Sequence, residues 1–442
     1  MAVKIVDVCM VAPSPAATPD HSCSTLPLTF YDLQMLRSPL IQRLYCYQNS
    51  KTTSFFDSIL PKLIHSLSHT LQHFLPLAGN LTWPRNSNKP VVVYVEGDAV
   101  SLTVALSDAD FYSLSGCWEG SELPQATECH PLLPNLPVSH ERAKVLAIQL
   151  TVFPEFGGFS IGIAAHHGVV DGKSLNSFTK SWAHICRSSF SSSSSHIGGV
   201  DEVSNNQSPL VLLPPELKPL FDRTLIKEPP KLEEIFSSNL WLKRSLLPRV
   251  PEVSPDSVRG TFRFPRAKIE KLRRLKGNKR EHDHDRRRQR RRIVSTFTLT
   301  CALCLYLGLF SQVRRNRRQI STSHHPRGFE ALTSLDNDND INNWDSSIID
   351  AADDHRIYSI FESPQFRVYG TDFGWGRPKK VDLLSIDGRR AMGFADTRDG
   401  DGGVEIGLVL KKHHMEAFSA MFAQGFEENN EDYLAGIIRS SL

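Results

Sequence analysis

The chain has 442 residues, of which 40% are hydrophobic and 22% charged, a composition typical of a globular protein rather than a disordered or fibrous one. This length is too great for one ordinary core and predicts two lobes of roughly 200 residues each. The formal net charge is only +3, so the overall charge gives no reason to expect a nucleic-acid partner. The eight cysteines are spread too widely for a small disulfide scaffold, and reduced thiols are expected.

Two apolar stretches bear on the cellular location of the protein. Residues 1–14 alternate apolar and polar positions, which predicts a strand and lacks the continuous apolar region of a signal peptide. The longest apolar run, residues 297–310, is shorter than the ~20 residues that a spanning helix needs. We therefore expect a cytoplasmic protein with no membrane partner.

Periodicity predicts several elements of the first half of the chain. Leucines recur at helical spacing over residues 58–75 and predict an amphipathic helix. The apolar runs 91–96 and 100–106 flank a Gly-Asp pair and predict a β-hairpin. The runs 145–153 and 159–165 predict two strands joined by a turn, the second of them almost wholly apolar and therefore central in its sheet.

This central strand leads directly into the first candidate catalytic segment. The sequence HHGVVDG occupies residues 166–172, and a helix is predicted from about residue 173 to residue 186. A histidine at such a strand-to-helix switch can face a cleft and act as a general base, and His167 is followed four residues later by Asp171. The alternative for the histidine pair is a polar turn whose hydrogen bonds are satisfied. Beside the base, His166 is expected to lie in the channel wall or behind the base rather than to bind a ligand.

The second half of the chain is less regular. A serine-rich stretch, residues 188–208, is typical of a linker. The arginine-rich stretch 276–292 has no interleaved aromatic residues and is interpreted as a solvated loop, not a nucleic-acid site. The other predicted elements are strands over 258–264, 381–386 and 404–410 and helices over 268–275, 295–310 and 411–426.

A second unusual segment, DFGWG at residues 372–376, places two glycines around a tryptophan in a compact loop. Its plainest interpretation is a packed turn with a buried Trp375. Cys301 and Cys304 have the spacing of a zinc or redox pair, but no second pair accompanies them, so core packing is expected and no metal site is predicted.

Together, HHGVVDG and DFGWG resemble the paired signature of the BAHD acyltransferases of plants. The resemblance extends to five shorter segments. They are LPLTFYD (26–32), FLPLAG (74–79), FDR (221–223), STF (295–297) and GGVEIG (402–407). In these segments the chain is most similar to the branch of the family that acylates sugars on anthocyanins, flavonoids and other phenolic glucosides.

The resemblance implies an α/β fold of two lobes, related to chloramphenicol acetyltransferase, with mixed sheets covered by helices and a channel between the lobes. His167 would deprotonate the acceptor hydroxyl, which attacks the thioester of an acyl-CoA, and no acyl-enzyme forms. Asp171 would fix the loop through an arginine partner. Asp372, Gly374 and Trp375 would shape the CoA side, with Trp375 as a candidate oxyanion neighbour, and Ser295 and Thr296 would contact CoA.

The expected layout is an N-terminal lobe (1–187), a linker and crossover (188–230) and a C-terminal lobe (231–442). The expected substrates are malonyl-CoA or a hydroxycinnamoyl-CoA and a phenolic glucoside, and the expected state is a monomer. By comparison with the family, a segment near residues 313–329 is missing, and with it the arginine partner of Asp171. The alternative hypothesis is therefore a less stable, catalytically impaired relative or an incomplete gene model.

Overall fold

The coordinates are a computed structural model, and they define two compact units. The described residues are 1–15, 23–48, 54–116, 123–192, 212–226, 244–277, 296–297, 299–301, 304, 359–389 and 391–424. The first unit comprises residues 1–121, 127–252 and 366–385. The second comprises residues 122–126, 253–365 and 386–442.

The first unit is built on a six-stranded mixed sheet in the order β1-β6-β8-β9-β3-β12. All its neighbouring strands are antiparallel except β6 and β8, which are parallel. The strands are β1 (Val3–Val11), β3 (Ile41–Gln48), β6 (Val100–Ser107), β8 (Leu146–Phe153), β9 (Gly158–Ala165) and β12 (Lys380–Leu383). Every residue of β8 and β9 is buried, as expected of central strands.

The described residues of this unit also form a smaller antiparallel sheet and five α-helices. The sheet has the order β2-β5-β4-β7. Its strands are β2 (Cys23–Pro27), β4 (Asn80–Thr82), β5 (Val91–Val95) and β7 (Arg142–Lys144). The helices are α1 (Phe30–Gln34), α2 (Leu60–His73), α3 (Leu75–Ala78), α4 (Phe111–Leu114) and α5 (Gly172–Ser192).

Helices α2 and α5 pack together over the large sheet. The leucines of α2 fall on one face because they recur every three to four residues, and Leu63, Leu67 and Leu71 are fully buried. The indole N–H of Trp182, on α5, donates to Leu63 O at 3.1 Å and to Ser66 Oγ at 3.0 Å. These two bonds fix the orientation of α5, the helix that begins at the histidine motif.

The second unit contains a four-stranded sheet in the order β10-β14-β13-β11. Its elements are β10 (Ser257–Phe264), α6 (Arg266–Gly277), β11 (Ser359–Phe361), β13 (Ala391–Asp396), β14 (Val404–Lys411) and α7 (Lys412–Gln424). Beside its apolar core, Arg259 and Asp387 form an ion pair whose side chains are 4% and 3% exposed.

The structure confirms the α/β class and most predicted elements within the described residues, but the predicted hairpin was wrong. The runs 91–96 and 100–106 do not pair with each other, since β5 pairs with β2 and β4 while β6 pairs with β1 and β8. Most of the predicted helix 295–310 lies outside the described residues. Six strands were not predicted from the sequence, namely β2, β3, β4, β7, β11 and β13. The helix after the histidine motif continues beyond residue 186 to Ser192.

Neither unit is continuous in sequence. Residues 366–385, including the DFGWG segment, belong to the first unit, and so do residues 244–252. The lobe boundaries at 187 and 231 stay a prediction. Most of the predicted linker, most of the arginine-rich loop and the region 313–329 lie outside the described residues. No helix in the described ranges is long and apolar enough to cross a membrane.

Candidate active site

His166 and His167 follow the last residue of β9 and differ in their surroundings. His166 is fully buried. Its Nε2–H donates to Leu246 O at 3.0 Å, and its Nδ1 accepts from the Gly168 backbone N–H at 3.2 Å. These partners select the His166 tautomer with hydrogen on Nε2, and they hold the turn that carries the His167 side chain. The His167 side chain is partly exposed.

His166 therefore acts as a positioning residue within the motif. Both ring nitrogens are used inside the protein, and the ring belongs to the buried structure rather than to a channel wall. His167 keeps partial access to solvent at the end of the buried strand, as a general base for a diffusing substrate requires. The sequence predicts the same division, with His167 as the base and His166 in the channel wall or behind the base, and the catalytic roles stay predictions.

The burial of His166 predicts a pH dependence of stability. Burial lowers the pKa of His166, the Leu246 carbonyl opposes this shift and the neighbouring His167 adds to it. As the pH falls below the ordinary histidine pKa of about 6.5, His166 binds a proton in the unfolded chain but stays neutral in the folded one. The free energy of unfolding therefore decreases toward acid. Above that pH His166 contributes no pH dependence.

The measurement is urea unfolding of the wild type and of His166→Gln between pH 5 and pH 8. The wild type should lose stability toward acid more steeply than the variant, by up to about 1.4 kcal/mol per pH unit for one proton. His184→Gln provides a comparison, because burial lowers the pKa of this partly exposed histidine as well. Parallel stability profiles for the wild type and His166→Gln would contradict the assignment.

Asp171 caps helix α5. Its Oδ1 accepts from the Ser174 backbone N–H at 2.6 Å, and the helix starts at the next residue. The Asp171 side chain is exposed, and within the part of the chain that the structure describes no arginine pairs with it. The side chain is thus exposed rather than partly buried, and its arginine partner stays a prediction, because the candidate arginines, Arg314, Arg315, Arg317 and Arg318, lie outside the described residues.

This capping bond gives a prediction for Asp171. Asp171→Ala should destabilise the first unit by about 1 kcal/mol, because a helix loses its N-cap acceptor. Asp171→Asn and Asp171→Ser keep an acceptor and should retain most of the stability and the activity. Urea unfolding and a turnover assay of the three variants test this. If Asp171→Asn were as inactive as Asp171→Ala while both were stable, the carboxylate itself would have a catalytic role.

Helix α5 also holds the chain that leads to the second motif. The Asn176 side-chain amide and the Lys180 ammonium both donate to Phe366 O, at 2.8 Å and 2.6 Å. The next residue, Arg367, has a φ of 49°, in the left-handed region that non-glycine residues seldom adopt. One helix thus connects the two sequence motifs.

The DFGWG loop is organised by its own aspartate. Asp372 Oδ1 accepts from the backbone N–H groups of Gly374 and Gly376, at 2.8 Å and 2.9 Å. Both glycines have a positive φ, 115° and 104°, which explains why the loop needs glycine at these positions. Asp372 therefore shapes the backbone of the loop from within.

The aromatic residues of the loop attach it to the first unit. The Phe373 ring is fully buried and meets the Trp182 ring edge to face, with centroids 4.9 Å apart. Trp375 is partly exposed and packs edge to face on Phe159, 6.0 Å away. The Tyr47 hydroxyl donates to Thr371 O at 2.9 Å. These contacts agree with a packed turn, and the role of Trp375 beside an oxyanion stays a prediction.

The candidate CoA contacts lie elsewhere in the chain. Ser295 is outside the described residues. Thr296 is in the second unit, where its hydroxyl accepts from Arg273 Nη2 at 2.7 Å. Thr296 thus has a structural partner on α6, and its contact with CoA stays a prediction.

Two further family-like segments, LPLTFYD and FDR, meet at Asp32. This carboxylate accepts from the Thr29 backbone N–H and hydroxyl, both at 2.8 Å, and pairs with Arg223 at 3.4 Å. Sequence reasoning found both segments but not their contact, which anchors part of the crossover to α1. It also missed Leu246, Asn176 and Lys180, for which no local pattern gave a signal.

The sequence and the fold both have known counterparts. Residues 1–304 and 309–424 match the Transferase family. The chain is 33% identical to phenolic glucoside malonyltransferase 1 of Arabidopsis thaliana, covering 96% of this chain and 98% of that protein. It is 32% identical to malonyl-CoA:anthocyanidin 5-O-glucoside-6''-O-malonyltransferase of the same plant, covering 96% and 99%. The structure resembles vinorine synthase with a TM-score of 0.60 at 18% identity, covering 96% of this chain and 98% of that one.

Proposed function

The chain belongs to the Transferase family of BAHD acyltransferases, and we propose that it transfers a malonyl group from malonyl-CoA to a sugar hydroxyl of a phenolic glucoside. The first part of this statement, acyl transfer, follows from the family. The donor and acceptor are supported by two relatives above 30% identity that span nearly the whole chain and whose names specify malonyl transfer. The observation that carries the catalytic assignment is the partly exposed His167 at the end of a fully buried strand.

In the proposed reaction His167 takes the proton from the acceptor hydroxyl as the oxygen attacks the thioester carbonyl. The tetrahedral oxyanion then collapses, the carbon–sulfur bond breaks, and the CoA thiolate leaves with the proton returned by His167. The new bond is an ester between the malonyl group and the sugar. A general base of this kind contributes ~10²–10⁴-fold, and positioning of the two substrates supplies the rest.

The chain's own residues hold the base in place. His166 fixes the turn, Asp171 starts α5, and α5 in turn holds the segment that leads to Asp372. The prediction that the chain is weakly active rested on an Asp171 without its arginine partner and on a sheet that lacks a strand, and it stays a prediction. The missing segment near 313–329, the monomeric state and the cytoplasmic location stay predictions.

The experiment is a donor panel with purified full-length protein. Malonyl-CoA, p-coumaroyl-CoA and acetyl-CoA are each offered with a phenolic glucoside and with its aglycone, and free thiol is followed over time. We expect thiol release with malonyl-CoA and the glucoside, and a product heavier by one malonyl group on the sugar. Faster reaction with p-coumaroyl-CoA would overturn the donor, and reaction with the aglycone would overturn the acceptor.

A further inference from the structure

Helix α2 carries a row of histidines on the side away from the core. His65, His69 and His73 are spaced four residues apart and so lie on one face of the helix, a turn from one another. His65 is exposed, and the other two are partly exposed. The rings of His65 and His69 are in contact, with centroids 4.5 Å apart and planes at 70°.

The two rings lie close enough for one ion to bind both. A metal–nitrogen bond of about 2.1 Å places each ring centroid about 3.2 Å from the metal, so the centroids of two rings on one ion are at most about 6.4 Å apart. The observed separation of 4.5 Å is within this limit. Imidazole ligands suit Cu²⁺ and Ni²⁺, and Cu²⁺ binds nitrogen sites more tightly than Ni²⁺.

The helix holds the two histidines on a rigid support. Leu63, Ser66 and Leu67, interleaved with the histidines, are fully buried, and the indole of Trp182 hydrogen-bonds two of these residues. The N-terminal segment lies along the same helix, since Ser68 Oγ donates to Ala12 O at 2.8 Å. A fixed backbone keeps two ligands one turn apart without the entropy that a flexible loop would lose on binding.

We propose that His65 and His69 form a two-histidine surface site for a divalent transition-metal ion, with Cu²⁺ bound more tightly than Ni²⁺. Water completes the coordination. The described residues contain no group of three or more histidine, cysteine, aspartate or glutamate side chains able to hold a metal ion. Two histidines alone would therefore bind the ion, which comes from solution. This proposal does not depend on the proposed acyl-transfer function.

The test is calorimetric titration of the full-length protein with NiCl₂, and with CuCl₂ in the presence of a weak competing chelator. The variants are His65→Gln, His69→Gln and the double variant. His73→Gln is the matched control, because it removes the same side chain from the same helix. Circular dichroism before titration verifies that each variant is folded.

We expect the wild type to bind one equivalent of metal. Each of the variants His65→Gln and His69→Gln should bind it roughly 100-fold more weakly than the wild type, because the two histidines act together and either loss leaves a single ligand. The double variant should show no larger loss than the singles, and His73→Gln should bind like the wild type. Electron paramagnetic resonance of bound Cu²⁺ should show two imidazole nitrogens in the wild type. An additive loss in the double variant, an equal loss in His73→Gln, or identical binding by the wild type and the double variant would each overturn the proposal.

Discussion

Replacing His167 by alanine should lower kcat/KM for acyl transfer at least 100-fold, while the melting temperature changes little. The loss follows because the hydroxyl must then attack without a base, and general base catalysis contributes ~10²–10⁴-fold. Folding should be preserved because the His167 side chain is partly exposed and the turn is held by its neighbour His166.

The assay is release of free CoA thiol from the donor that the panel identifies. His184→Ala is the matched control, since His184 is also partly exposed and lies in α5 of the same unit. The control should retain turnover. Near wild-type turnover of His167→Ala, in a preparation free of contaminating transferase, would show that another group takes the proton.

The sequence predicted the core of the candidate site well because the pattern there is local. Strands β8 and β9 are adjacent, mostly apolar and joined by a short turn, so their pairing follows from their order. Helix α2 was predictable for a similar reason, since one apolar stripe repeats over its whole length. The position of His167 at the end of β9 follows directly from these two facts.

Pairing between distant strands could not be predicted in this way. Strands β5 and β6 are separated by a Gly-Asp turn, which is typical of a hairpin, yet they belong to different sheets. Strand β5 lies between β2 and β4 in the small sheet, and β6 lies between β1 and β8 in the large one. Likewise, no local pattern indicates that residues 366–385 return to the first unit.

The roles of the two motif aspartates also depended on three-dimensional context. Family resemblance suggested an arginine partner for Asp171, but the side chain caps the helix that follows it. Asp372 was expected to shape a CoA channel, and its observed bonds are to two amides of its own loop. Both carboxylates therefore organise backbone, and the loop's attachment depends on its aromatic residues.

Phe373→Ala should destabilise the first unit by about 3–5 kcal/mol, the usual cost of removing a buried phenylalanine ring. The ring is fully buried, meets Trp182 and Tyr47 edge to face at 4.9 Å and 5.8 Å, and stacks on Trp375 at 6.1 Å. Removing it leaves a cavity at the point where the DFGWG loop attaches to α5. Acyl transfer should fall in parallel, because the loop would no longer be held against the helix that begins at the histidine motif.

Urea unfolding followed by tryptophan fluorescence measures the loss, since Trp182 and Trp375 border the cavity. Phe56→Ala is the control within the same unit, because the Phe56 side chain is 43% exposed. This variant should lower the free energy of unfolding by less than about 1 kcal/mol. Phe373→Leu fills part of the cavity and should fall between them. In a double-mutant cycle, Phe373→Ala with Trp182→Leu should show a coupling of about 0.5–1.5 kcal/mol from the edge-to-face pair. If Phe373→Ala lowered the free energy of unfolding no more than Phe56→Ala, the loop would be held mainly by hydrogen bonds to its backbone. The bond from the Tyr47 hydroxyl to Thr371 O would then be the principal attachment.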